Sequence, residues 1–132
     1  MKKLLLLICV MSLFITGCND IPVRDRSVDL DLTVFSAVML AAEYDKILGN
    51  PNRYLGQTIK AKGSFLTFFF NDRDYNFIVL REIDACCVER FEIKWDGDFP
   101  PEGTMMEIVG VFSRYEDSGR AFHYLAVEEM SF

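Results

Sequence analysis

The stretch Gly56-Gln57-Thr58-Ile59-Lys60-Ala61-Lys62-Gly63-Ser64-Phe65 has a skeleton that returns as Gly103-Thr104-Met105-Met106-Glu107-Ile108-Val109-Gly110-Val111-Phe112. Each copy runs glycine, six residues, a second glycine, one residue, phenylalanine. The second glycine falls inside a run of β-forming residues. Glycine weakens a strand interior unless the backbone there must bend or pack against another chain segment. Two strands with the same internal glycine therefore support a barrel, whose closure needs sharply coiled strands.

Working outward, five runs rich in β-branched and aromatic residues follow Pro51: Thr58 to Phe70, Tyr75 to Ile83, Cys87 to Trp95, Met105 to Tyr115 and Arg120 to Met130. Turn residues divide them, at Asn71-Asp72-Arg73-Asp74, Asp84-Ala85, Asp96 to Pro101 and Glu116-Asp117-Ser118-Gly119. Five antiparallel runs in this span suit a small closed barrel better than a sandwich of seven or more strands. The expected fold is mainly β, a five-stranded OB-fold-like Greek-key barrel whose first and fourth strands pair. One α-helix precedes it, from Val34 to Leu48, with Phe35, Val38, Met39 and Ala42 at helical spacing. Thr33 or Ser36 is positioned to cap its start, and Gly49-Asn50-Pro51 to stop it.

The amino terminus carries an address. Lys2 and Lys3 precede an apolar run from Leu4 to Ile15, too short for a spanning helix, which needs about 20 residues. Ile15-Thr16-Gly17-Cys18 resembles the bacterial lipobox, in which the peptide is cut before the cysteine and its thiol takes a diacylglycerol. The reading is residues 1–17 as lipoprotein signal peptide, 18–33 as a lipid-anchored tether and 34–132 as helix plus barrel. Cys18 is the expected lipidation site, with palmitate-type chains. The localisation expected is the extracytoplasmic face of a cell membrane, held through the lipid.

Of 132 residues, removal of the first 17 leaves 115, and loss of Lys2 and Lys3 takes the net charge from −6 to −8. An acidic domain argues against nucleic acid as a partner, since phosphate neutralisation needs clustered Lys and Arg. It also favours standing off anionic headgroups. Twelve Phe and 5 Tyr exclude a disordered chain.

The run from Val38 through Gly63, centred on Asn50-Pro51-Asn52-Arg53-Tyr54-Leu55-Gly56-Gln57-Thr58-Ile59-Lys60, resembles a group of small bacterial lipoproteins of OB-fold type. A related module forms the extracytoplasmic part of proteins read as bacterial permease subunits. The pattern continues through Ala85-Cys86-Cys87 and Gly103-Thr104. Two positions depart from it: Val88-Glu89-Arg90 stands where Gln-Gly is frequent, and His123 where the last strand often has cysteine. The resemblance implies the fold and the envelope address, and transfers no activity.

Cys86, Cys87 and His123 form the one constellation with metal-type chemistry. Alternation puts Cys87, Phe91, Ile93 and Trp95 on one face of the third run, with a bulge expected near Val88 to Arg90. Placed across from His123 in the fifth run, Cys87 would give a thiolate–imidazole pair suited to zinc or copper. Buried structural cysteines, or a strained vicinal disulfide, are the competing readings. No cofactor is otherwise expected. No nucleophile–base–orienter set is evident beyond these residues, so an enzyme is not expected. Phe65, Phe68, Phe69, Phe70, Tyr75 and Phe77 are expected mostly to fill the core, with part of the set lining the OB ligand face. Asp96, Asp98, Glu116 and Asp117 could contact a cation, but acidic turns are usually just solvated. The function expected is a lipid-anchored envelope binding or accessory module for a small ligand or membrane protein. The alternative is metal or thiol handling through Cys86, Cys87 and His123.

Overall fold

The computed structural model describes residues 27–84 and 87–132. The expected signal peptide, the expected lipidation site Cys18 and most of the expected tether lie outside these residues, as do Cys86 and the side chain of Cys87. The described elements are a two-residue strand β1 (Leu30–Asp31), helix α1 (Ala37–Gly49), and strands β2 (Thr58–Phe70), β3 (Arg73–Asp84), β4 (Cys87–Lys94), β5 (Met105–Asp117) and β6 (Arg120–Ser131). Strand order is β1-β2-β3-β4-β6-β5, and β5 returns to β2 to close the barrel. The fold is mainly β, an OB-fold-like five-stranded barrel preceded by one helix.

The glycine echo is a pseudo-twofold relation between β2 and β5. The two strands run antiparallel from Thr58↔Val111 to Ser64↔Met105. At one end the Gly56 amide donates to the Phe112 carbonyl at 2.9 Å, and at the other the Gly103 amide donates to the Phe65 carbonyl at 2.8 Å. The first glycine of each copy thus closes on the terminal phenylalanine of the other. Both phenylalanines are buried, at opposite ends of the core. Beyond Ser64, β2 leaves β5 and continues against β3 from Ser64↔Val79 to Phe70↔Arg73. Gly63 stands at that corner.

Turn chemistry fixes the hairpins. Asn71 and Asp72 both take positive φ, as do Ser118 and Gly119, so β2–β3 and β5–β6 are joined by tight two-residue turns. Such turns match the twist of the flanking strands. The irregularity expected near Val88 to Arg90 occurs at that level, but the extra residues belong to β3. Val79 pairs with Arg90 and Arg81 with Glu89, leaving Leu80 unmatched, and Ile83 is skipped in the same way.

Two boundaries differ from expectation. The chain joins the domain before residue 34: Leu30 and Asp31 pair in parallel with Ile59 and Lys60 on the edge of β2 that β3 does not reach, and Leu32 is buried. Leu30 and Leu32 supply the apolar contacts, and the open edge of β2 takes the short strand. The helix begins at Ala37, with Ser36 as the cap accepting from the Met39 amide. It buries Ile47 fully and packs Leu40 and Tyr44 against the core, while Val38 and Met39 stay 78% and 54% exposed. The buried stripe of the helix therefore runs 40-44-47 rather than 38-39-42, and Phe35, just before the helix, packs on the core as well.

Candidate functional site

Four parts of the chain converge on one concave face of the barrel. The end of the β2–β3 hairpin brings Phe68, Phe70 and Asn71, and β3 brings Tyr75 and Phe77. From β4 come Arg90 and Glu92. The β5–β6 hairpin supplies Tyr115, Asp117, Arg120 and Phe122, with His123 behind them and Tyr44 entering from α1. Together they line a groove of about 870 Å³. A smaller depression of about 360 Å³ continues from Tyr75, Glu92, Tyr115 and Asp117 toward Lys94.

Period two explains the lining. Ile78 and Phe91 point into the core, so their neighbours Phe77, Arg90 and Glu92 point out of it. The aromatic residues were expected mostly inside, and of the six named only Phe65 is buried. Phe68, Phe69 and Phe70 are more than half exposed because β2 has by then left β5 and projects beyond the closed barrel. Phe68 and Phe70, two apart on one face, stack at 6.4 Å and 20°. Tyr115 and Phe122, paired across β5–β6, stack at 5.4 Å and 19°.

Charges in the groove are matched. The Arg90 guanidinium lies 4.8 Å from the Phe77 ring centroid, and the Lys94 ammonium 3.8 Å from that of Tyr115. The Tyr115 hydroxyl donates to Glu92 at 2.8 Å. Burial, then that carboxylate, push the Tyr115 phenol well above its usual range, so it stays protonated and a donor. Asp117 faces Arg73 at 3.6 Å.

Tyr44 closes a seam. The ladder between β4 and β6 is parallel and covers only Glu92–Lys94 against Tyr124–Ala126. Just below it, the Tyr44 hydroxyl donates to the Arg90 carbonyl at 2.8 Å and accepts from the Arg90 amide at 3.2 Å. One phenol thus satisfies both backbone groups at that edge, and its ring packs on Phe91.

That ladder also corrects the arrangement expected of Cys87 and His123. It begins at Glu92↔Tyr124, which sets Phe91 rather than Cys87 level with His123, while Cys87 pairs with Asp84 at the far end of β4. Four residues of strand amount to roughly 13 Å. His123 instead stacks flat on Phe112 at 5.5 Å, and its buried Nε2 has no hydrogen-bond partner among the described residues. Among the described residues no group of three or more His, Cys, Asp or Glu could hold a metal ion. Cys86 and the Cys87 side chain stand outside that statement.

Burial, then the nearby Arg114, hold the His123 imidazole below its ordinary value of 6.5. The unfolded chain binds this proton first as pH falls. Stability is thus whole above about pH 6.5 and is lost below it, down through the lowered folded value. Thermal midpoints should fall less between pH 7 and pH 5 in His123→Phe than in the parent chain. An equal fall in both would show that His123 carries none of the acid sensitivity.

Glu92, Tyr44, Arg90, Tyr115, Arg120 and Phe122 were not singled out from the sequence. The parity of Tyr115 and Phe122 about the Asp117-Ser118-Gly119 turn was the available signal. No family model and no curated protein matches the chain.

Proposed function

We propose that this chain is an envelope binding module, lipid-anchored through Cys18 and holding its ligand in the concave groove. One observation carries the reading: large aromatic side chains stand exposed on the groove wall, Phe68 at 58% and Phe70 at 55%, although the core is complete without them. Exposed rings that converge with paired charges on one concavity are the ordinary make-up of a recognition surface. Nothing in the fold requires them there.

Anchoring is supported by the Lys2-Lys3 start, the short apolar run and the Ile15 to Cys18 box. Among the described residues no helix is long and apolar enough to cross a membrane. Cys18→Ser should leave the precursor uncut and without incorporated fatty acid on metabolic labelling. A labelled, membrane-bound Cys18→Ser chain would refute the anchor.

The groove has its own test. Phe68→Ser with Phe122→Ser should leave the thermal midpoint within a few degrees, because exposed side chains contribute little to stability. The same double variant should lose any stabilisation that a ligand gives the parent chain, which follows RT ln(1 + [L]/Kd). Ligand stabilisation that survives the double substitution would place the site elsewhere.

A further inference from the structure

We propose that the groove takes a neutral glycan chain, its sugar rings laid on the two stacked aromatic pairs. The inference rests on the binding-face reading above and adds the ligand class. Phe68–Phe70 and Tyr115–Phe122 are each stacked within 20° of parallel, and Phe68, Phe70 and Phe122 are exposed, so each pair offers the outer face of an exposed ring as an apolar platform. A sugar ring has an apolar C–H face and a rim of hydroxyls. The platforms meet the first, while Glu92, Asp117, Arg90 and Arg120 border them with acceptors and donors for the second. The smaller depression beyond Tyr115 extends the groove, which suits a chain rather than a single ring.

Two other polymers fit worse. Single-stranded nucleic acid would stack on the same rings, but it needs a cationic track along its phosphates. Here the lining carries two arginines and two carboxylates, in a chain of net charge −6. An extended peptide would bind by adding a strand to a free edge. The edge beside the groove is closed at Arg90, where the Tyr44 hydroxyl engages both backbone groups.

Isothermal titration of the full chain, in a detergent without a sugar headgroup, separates the classes. The probes are N-acetylglucosamine hexamer, cellohexaose, the octanucleotide (dT)8 and an alternating Val-Thr hexapeptide. At least one glycan should bind at one per chain, with affinity changed less than twofold between 50 and 500 mM salt, since no counterions are released. Phe68→Ala and Phe122→Ala should each weaken it at least tenfold. Glycan binding indifferent to both substitutions would overturn the proposal, as would failure of both glycans. If (dT)8 or the peptide binds instead and Phe68→Ala abolishes it, the glycan assignment falls and the binding face stands. If no probe binds, both fall.

Discussion

Gly63→Ala should cost the domain about 3 kcal/mol or more, the largest effect expected of so small a change. A Cβ built at Gly63 would lie 2.1 Å from the Val79 carbonyl oxygen and 2.7 Å from its carbon. Those atoms belong to the backbone of the neighbouring strand and cannot swing aside as a side-chain end would. Relief requires β2 and β3 to part at the corner where β2 passes from β5 to β3. Overpacking of this kind usually costs about 1–3 kcal/mol, and more when backbone must move. Gly110, the pseudo-twofold mate, is less crowded, its nearest atom being the Ala126 carbonyl oxygen at 2.9 Å. Gly110→Ala should therefore cost roughly half as much, about 1–2 kcal/mol. Urea unfolding of both variants checks the order. A Gly110 effect equal to or larger than that of Gly63 would contradict the coiled-corner account.

Phe112→Ala should lose about 3–5 kcal/mol, the range for removing a buried phenylalanine. In a domain of this size that lowers the thermal midpoint by roughly 15 °C or more. Phe112 is fully buried, meets Phe91 edge-on at 6.1 Å and carries His123 stacked on its other side. Its backbone also holds both hydrogen bonds to Gly56 and Gln57. Phe65, its mate in the repeat, stacks on Phe99 at 5.0 Å and is nearly as buried, so Phe65→Ala should fall in the same range. A loss below about 1 kcal/mol at Phe112 would mean the side chain is not part of a close-packed core.

Strand order and barrel closure were legible because the determinants are local. Alternation marks each strand, Asn71-Asp72 and Ser118-Gly119 mark the hairpins, and the Gly-x6-Gly-x-Phe echo marks the pair that closes the barrel. Burial of the helix was not legible. Val38, Met39 and Ala42 are apolar at helical spacing, as are Leu40, Tyr44 and Ile47, and periodicity alone does not choose between the two stripes. The choice is made by a nonlocal contact, the Tyr44 hydroxyl on the Arg90 backbone, 46 positions away.

The groove was legible only in part, for a related reason. Phe68 and Phe70 share a face by parity, but parity does not say how far a hairpin projects past the point of closure. That depends on the Ser64 corner, and hence on which strand β2 accompanies at each residue. Cys87 and His123 illustrate the same limit. Their parity was read from the sequence, whereas their separation depends on the stagger of a three-residue parallel ladder. Glu92 and Arg90 joined the site through that stagger as well.

Amide chemical-shift mapping tests the binding-face claim most directly. The ¹⁵N-labelled full chain would be titrated in turn with N-acetylglucosamine hexamer, cellohexaose, (dT)8 and the Val-Thr hexapeptide. The expected result is saturable shifts confined to the groove, largest at Phe68, Phe70, Phe77, Arg90, Tyr115 and Phe122, with α1 unmoved at Val38 and Met39. Shifts centred on the outer face of α1, or no saturable shift in the groove from any of the four, would contradict it.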